Sequence, residues 1–378
     1  MNVFILAGEV SGDEYAAQLV AAIKERAPDI HFEGMAGEAT RKQGVKIKAD
    51  ITAYSTIGMI EPIFYLPQLY RAYRQVQASW KHEKPDLVIA IDCQGMNMPL
   101  LKKAKTYGIR TMYLIAPQEW QWGTQSGGQK VVAVVDHLLA IFKQEADFYT
   151  KLGGNVTFVG HPLLDQVSNQ TQSVKTNILA KITKKGPILS VFPGSRQQEI
   201  KRVAPVLFEA AKLMKAQVPD LQVVVSVARG HFKSTLDAQL KAVGLHATLF
   251  TGEAMALIQS AKISLASSGT ITLSHALMGT PCCVAYRFSS LSYWLARTFF
   301  GKRLARIRYM SLPNLLLNKM IFPEFLQENA RPESIAKAGL TLYQDGIPSK
   351  EQGSLSQQLG SEGVMARAAE VVLAELKK

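Results

Sequence analysis

The sequence predicts an α/β protein of two doubly wound domains facing one another across a cleft. Two observations carry the α/β part of that expectation. Short apolar runs of strand length alternate with longer amphipathic segments along all 378 residues, and that alternation marks parallel sheets covered by helices on both faces. The alternation also breaks once, at a polar stretch from Gln166 to Lys185, and then restarts.

Taken in order, the runs are Val3–Ala7, Leu87–Ile91, Thr111–Ile115, Leu138–Ile141 and Val156–Val159, then Ile188–Phe192, Val223–Val227 and Ile263–Ala266. Each is followed by Gly, Pro, Ser or Asp and then by a helical pattern. A first domain over 1–165 and a second over 166–350 follow from the break. Residues 362–377 read as a helix.

Composition narrows the class. The chain is 47% hydrophobic and carries a formal net charge of +13, which points to an anionic partner: nucleic acid, phosphorylated metabolites or an acidic membrane surface. No zinc-finger spacing, RNP motif or homeodomain-like helix favours nucleic acid, and no apolar run reaches the length of a membrane span. Met1–Gly8 enters a strand directly, without the basic start of a secretory signal. Cys93, Cys282 and Cys283 have no metal-ligand spacing and read as small core thiols in a reducing compartment.

In open parallel sheets, ligands bind beyond the carboxyl ends of strands, so the strand exits hold the candidates. The first exit, "LAGEVSGD" (6–13), has glycines for close backbone approach. It is neither a dinucleotide fingerprint nor a P-loop, and Ser11 or Asp13 could equally cap the following helix. Asp92 follows four apolar residues in "VIAIDCQGMN" (88–97). A carboxylate there is costly unless solvated, paired or functional; it suits a base accepting a hydroxyl proton, or a helix cap. Trp120 and Trp122 in "APQEWQWG" (116–123) and His161 in "GHP" (160–162) either line a site or pack in the core.

The second domain offers two anion-binding turns. "SVFPGSRQQEIKR" (190–202) puts Arg196 at a turn between strand and helix, where helix-start amides and a guanidinium suit phosphate. "LASSGTITLSHALMGTP" (265–281) repeats the idea with Ser268, Gly269 and Thr270. Together they suggest a nucleotide diphosphate. In "YMSLPNLLLNKMIFPEFLQENARPE" (309–333), Asn314, Glu324 and Gln327 stand among apolar residues. The last two, three apart, are expected on one helical face.

These motifs, in this order over nearly the whole chain, resemble the lipid-A-disaccharide synthase family of inverting glycosyltransferases. The matching stretches are "AGEVSGD" (7–13), "AIDCQGMN" (90–97), "APQEWQW" (116–122), "FVGHPLLD" (158–165), "FPGSRQQEI" (192–200), "ASSGTITL" (266–273), "YRFSSLSYWLA" (286–296) and "SLPNLL…PEFLQ" (311–327). The resemblance implies the GT-B architecture: two Rossmann-like domains facing a cleft, with residues 351–378 as a helical segment packing back on the first domain. It also implies transfer from UDP-2,3-diacylglucosamine to 2,3-diacylglucosamine 1-phosphate, giving a β-1,6-linked disaccharide and UDP.

By the same resemblance Asp92 and Arg196 are the candidate catalytic residues. Ser195, Arg196, Glu199, Ser268, Gly269, Thr270, Ser274, Asn314, Glu324 and Gln327 are expected around the donor nucleotide. Gly12, Asp13, Asn97, Trp120 and His161 are expected at the acceptor. No cofactor and no metal is expected; the partners are a UDP-linked acylated sugar, an acylated sugar phosphate and an anionic membrane surface, with no nucleic acid and room for a homodimer. The implied location is the cytoplasm, peripherally on the inner-membrane face. Two positions depart from the family pattern: Ser274 stands where "SGTATLE" has Glu, and Gly95 where "IDAPDFN" has its second Asp. A different UDP-sugar enzyme of UDP-N-acetylglucosamine 2-epimerase type, or a non-catalytic nucleotide- or lipid-binding paralogue, is the alternative.

Membrane contact is expected through two segments that mix aromatics with cations, 59–81 ("MIEPIFYLPQLYRAYRQVQASWK") and 288–310 ("FSSLSYWLARTFFGKRLARIRYM"), a composition suited to the headgroup boundary.

Overall fold

A computed structural model describes residues 1–54, 65–122, 125–173, 186–289, 298, 308–346 and 349–378. Most of the 288–310 segment and the start of the 59–81 segment lie outside the described residues.

The chain forms two compact units, Met1–Asp165 with Leu359–Lys378, and Gln166–Gln358. The second unit ends at Gln358, where the sequence reading set its boundary at 350, and residues from Leu359 on rejoin the first.

The first unit is built on a seven-stranded parallel sheet of order β3-β2-β1-β4-β5-β6-β7. Its strands are β1 (Asn2–Ala7), β2 (His31–Met35), β3 (Lys46–Ala49), β4 (Leu87–Ile91), β5 (Arg110–Leu114), β6 (His137–Ala140) and β7 (Val156–Phe158). β4 is buried along its whole length and β1 along all but its first residue. That explains why they read as continuous apolar runs rather than alternating ones. Sequence order reverses between β1 and β4, which pair with Ala7 beside Ile91. Such a switch point is where open α/β sheets bind ligands.

The helix Val364–Leu376 completes this unit. Its Val364, Ala368, Ala369 and Val372 are fully buried, and it packs against the helix Val10–Arg26. Asp165 caps it, accepting the N–H groups of Gly363, Val364 and Met365 at 2.6, 3.2 and 3.2 Å. Its other end is tied to the sheet by Glu375, 2.9 Å from His137 Nδ1.

The second unit carries a six-stranded parallel sheet of order β10-β9-β8-β11-β12-β13. The strands are β8 (Ile188–Phe192), β9 (Gln222–Ser226), β10 (Thr248–Phe250), β11 (Ile263–Ser267), β12 (Cys282–Tyr286) and β13 (Glu324–Leu326). Its switch point lies between β8 and β11, paired through Phe192 and Ala266. The core against one face draws Leu189 and Val191 from β8, Leu265 from β11, and Leu207, Phe208 and Met214 from the helix Ala204–Gln217. Each large apolar side chain fully buried in this way contributes about 1.5–3 kcal/mol.

All eight expected strands are present. Five more, β2, β3, β10, β12 and β13, complete the sheets. Cys282 and Cys283 are buried in β12 as core thiols. Glu324 and Gln327 do not share a helical face: Glu324 opens the strand β13, and Gln327 begins a 3-10 turn with φ +51°. Among the described residues no helix is long and apolar enough to cross a membrane.

Candidate active site

In the first unit the strand exits at the switch point carry unusual backbone. Asp92 and Cys93 leave β4 with φ of +50° and +48°, and Ile115 leaves β5 with φ +59°. Left-handed backbone at a non-glycine residue costs on the order of 1–3 kcal/mol and persists only where the surroundings fix it; for a β-branched residue it is rarer still.

Here the surroundings do fix it. The Asp92 carbonyl accepts from Asn97 Nδ2 at 2.7 Å and from the Tyr113 hydroxyl at 2.7 Å, while the Asp92 N–H donates to Leu114 at 3.2 Å. The Asn97 amide also lies 3.2 Å from the carbonyls of Leu6 and Ile91. Gly12 abuts the same exit, since a Cβ there would stand 3.3 Å from the Ile91 carbonyl. Asp92, Asn97 and Gly12 are thus brought together. Asn97 is fully buried, and among the described residues its Oδ1 has no hydrogen-bond partner.

Asp13 and His161 fall in different settings from those expected. Asp13 is buried, and its carboxylate accepts the N–H groups of Gly37, Ala39 and Thr40 at 2.8, 2.8 and 3.2 Å. It holds the start of the helix Glu38–Lys42 rather than facing substrate or capping its own helix, because three amides at a helix start saturate a buried carboxylate. His161 is 2% exposed. Its Nδ1 accepts the Leu163 N–H at 3.1 Å, and burial holds its pKa down to about 3. It is a neutral packed ring, not a proton carrier at neutral pH. Trp120 does reach it indirectly: the rings of Trp120 and Phe142 lie 5.5 Å apart, those of Phe142 and His161 5.2 Å, and those of His161 and Tyr15 6.3 Å.

In the second unit the two expected anion turns leave β8 and β11, neighbouring strands at the switch point. They are not equivalent. The first is closed by Glu199, whose Oε2 accepts the N–H groups of Ser195 and Arg196 at 2.8 and 3.2 Å. Glu199 is therefore an internal clamp of the turn rather than a donor contact. Its like charge would repel a diphosphate, and Arg196 Nη1, 3.4 Å from Glu199 Oε1, offsets it. Gly194 is required here. Its φ is +116°, and a Cβ would collide with the Glu199 carboxylate. The second turn is open: Gly269 and Thr270 are exposed at the start of the helix Thr270–Leu277.

Asn314 and Glu324 are likewise internal. Asn314 donates to the Phe322 carbonyl and to Glu324 Oε1 at 2.7 and 2.6 Å, and accepts from Ile321 and Phe322. Glu324 also accepts from Met310 N–H, Ser311 N–H and the Ser311 hydroxyl at 2.7, 2.9 and 2.6 Å. Together they clamp the segment 310–324 beside β12, so a donor contact expected of either is not what their polar atoms are engaged in. Ser274 is 2% exposed, inside its helix rather than on a binding surface. Gln327 is half-buried at the end of β13.

Several residues escaped sequence reasoning. Glu145 is 1% exposed, and burial raises its pKa to about 7 even though it accepts three backbone N–H bonds. Its position three residues after Phe142, at a helix start, was the available signal. His275 is fully buried, bonds the Ile271 carbonyl through Nδ1 at 2.8 Å, and meets the Phe192 ring edge-on at 4.9 Å. Among the described residues no cluster of three or more His, Cys, Asp or Glu side chains could hold a metal ion.

Two parallel α/β units, each with polar groups gathered at its own switch point, define a GT-B-type protein. Solved structures share that fold across the whole chain. A UDP-GlcNAc 2-epimerase from Methanocaldococcus jannaschii, in complex with UDP-GlcNAc and UDP, matches with a TM-score of 0.65 at 11% identity, over 99% of this chain and 100% of its own. The glycotransferase of kitacinnamycin matches at 0.63 and 13%, over 99% of each chain. The family model described as lipid-A-disaccharide synthetase matches residues 3–374. The lipid-A-disaccharide synthase of Myxococcus xanthus is 33% identical over 376 residues, covering 98% of this chain and 97% of the relative; that of Nitrosococcus oceani is 34% identical over 356 residues, covering 94% and 89%. The chain belongs to the lipid-A-disaccharide synthase family and is a glycosyltransferase.

Proposed function

We propose that the enzyme transfers 2,3-diacylglucosamine from UDP to the hydroxyl of 2,3-diacylglucosamine 1-phosphate, forming a β-1,6 bond. The acceptor oxygen attacks the anomeric carbon, the bond from that carbon to the diphosphate breaks, and UDP leaves with inversion. Asp92 takes the hydroxyl proton. Its strained placement at the first unit's switch point is the observation that carries this reading, since strain held by surrounding bonds is what a preorganised base requires. The second unit takes the donor. The open Ser268–Thr270 turn meets the diphosphate with helix-start amides, and Arg196 stabilises charge on the leaving group. This chemistry calls for no metal ion or cofactor.

The test is incubation of purified protein with both diacylated substrates. Disaccharide and UDP should appear together in equal amounts. Epimerised UDP-N-acetylglucosamine without disaccharide would favour the epimerase reading, and binding without turnover the non-catalytic one.

We also propose peripheral contact with an anionic membrane on its cytoplasmic face, because acylated substrates must leave a bilayer. In the described part of the first segment, the helix Leu66–His82 buries Ala72, Val76 and Trp80 and exposes Leu66, Tyr70, Arg71 and Arg74. That face mixes the apolar and cationic groups a headgroup boundary attracts. Co-sedimentation with phosphatidylglycerol vesicles at low salt should occur. It should weaken when Lys302, Arg303 and Arg306 are changed together to Ser; protein that stays in the supernatant at low salt would refute the contact.

A further inference from the structure

Glu145 lies outside the residues assigned to the reaction, yet the bonds around Asp92 lead back to it. Its Oε1 accepts the N–H of Ala116 at 3.0 Å, and its Oε2 accepts those of Ile141 and Phe142 at 2.8 and 3.3 Å. Ala116 belongs to the segment leaving β5; Ile141 and Phe142 leave β6. Four residues on, and so on the same face of the helix Lys143–Lys151, the buried Tyr149 donates its hydroxyl to the Pro117 carbonyl at 2.6 Å. One helix thus grips the β5 exit by an N–H and, one residue later, by a carbonyl. That exit begins with the left-handed Ile115. Just before it stand Leu114, whose carbonyl accepts the Asp92 N–H, and Tyr113, whose hydroxyl donates to the Asp92 carbonyl.

We propose that Glu145 is a positioning residue for the transfer reaction: its carboxylate locks the exit of β5, and the locked exit holds Asp92 in its strained orientation. The inference rests on Asp92 being the group that activates the acceptor. Three N–H groups converge on Glu145 from segments that connect strand ends, and Glu145 is 1% exposed. A buried carboxylate accepting such bonds rigidifies what it joins. Protonation weakens the arrangement, because the oxygen that takes the proton becomes a poorer acceptor for the N–H groups bound to it.

The groups facing Glu145 make the protonated form accessible near neutrality. Burial raises its pKa to about 7, and the charge of Asp92, from the end of β4, adds to the rise. From its own helix Tyr149 contributes a neutral hydroxyl; Glu119 lies beyond it within electrostatic reach. Across Phe142 stands the neutral His161. The exit is therefore locked above neutral pH and loosened below it.

Two readouts test this, one of them independent of activity. Trp120 packs on Phe142, whose N–H is bound by Glu145, so its fluorescence reports the clamp. The difference between wild type and Trp120→Phe, followed from about pH 5.5 to about pH 8.5, should show a step near pH 7 that is absent in Glu145→Gln. In turnover, Glu145→Gln should lower kcat about tenfold, the scale of a misplaced base. The donor KM should stay within about twofold, and the neutral limb of the wild-type pH profile should vanish. Glu145→Asp, which keeps the charge, should restore the step in part. A step that persists in Glu145→Gln overturns the proposal. So does a variant with lowered Tm but unchanged kcat and pH profile per folded molecule, which would mean a purely structural role. If the fluorescence step behaves as expected while wild-type protein makes no disaccharide, the clamp stands and the transfer reading fails.

Discussion

Asp92 and Arg196 are held in different ways. Asp92 is fixed through its backbone, with Asn97, Tyr113 and Leu114 all bonding its peptide groups. Arg196 is held by Glu199 at both its backbone N–H and its guanidinium. Asp92→Asn should therefore keep the fold and leave UDP affinity nearly unchanged while abolishing disaccharide formation. An equal fall in UDP affinity, measured by calorimetry, would make Asp92 structural or donor-facing. Arg196→Ala should cut turnover at least about 100-fold, the scale of losing one preorganised donor, with circular dichroism unchanged. Near-normal turnover would end the diphosphate role. Gly95 has open space where a Cβ would stand and lies in the first turn of the helix Gln94–Thr106. Gly95→Asp should raise stability by about 1 kcal/mol, from reduced chain entropy and charge at a helix N-terminus, visible as a higher Tm.

At the scale of elements, one device serves both units. A glutamate in the first turn of a helix reaches back to the amides of the preceding turn: Glu145 to Ile141 and Phe142, Glu199 to Ser195 and Arg196. Glu199→Gln should loosen the β8 exit and weaken UDP binding without moving the Trp120 fluorescence step in the first unit. Effects of that substitution on both readouts would mean the protein unfolds more globally. This level was only partly legible in the sequence. Fully buried strands such as Leu87–Ile91 and Ile188–Phe192 announce themselves as apolar runs. The edge strands β3 (Lys46–Ala49) and β10 (Thr248–Phe250) do not, being short and partly exposed. The strand exits were legible too, because Asp92, Arg196 and Ser268 each follow an apolar run. What each polar group bonds to was not. Asp13, Glu199, Asn314 and Glu324 look like ligand contacts when read alone, and their partners are backbone amides and side chains brought close only by folding.

For the molecule as a whole, two buried imidazoles contribute to the response to acid. His161 and His275 are held by burial at pKa values of about 3 and about 4, below the ordinary value near 6.5 of an unfolded chain. The unfolded state thus binds more protons between those limits. Their contribution to stability is fully present above about pH 6.5 and is lost as pH falls toward 4 and 3, while the raised pKa of Glu145 acts in the opposite sense. Urea midpoints should drop across that window, and His275→Phe, which keeps an aromatic beside Phe192, should flatten the drop. An unaltered slope would show that other groups govern it.

The first unit is assembled from two stretches of chain separated by the whole of the second. A ribosome therefore releases Met1–Asp165 long before the strand-backing helix Val364–Leu376 exists, whereas Gln166–Gln358 emerges as one uninterrupted piece. During synthesis the second unit can reach its native core first, while the first waits with the apolar side of the helix Val10–Arg26 uncovered. The nascent protein passes through a stage in which the second unit is complete in chain while the unit holding Asp92 still lacks its last helix.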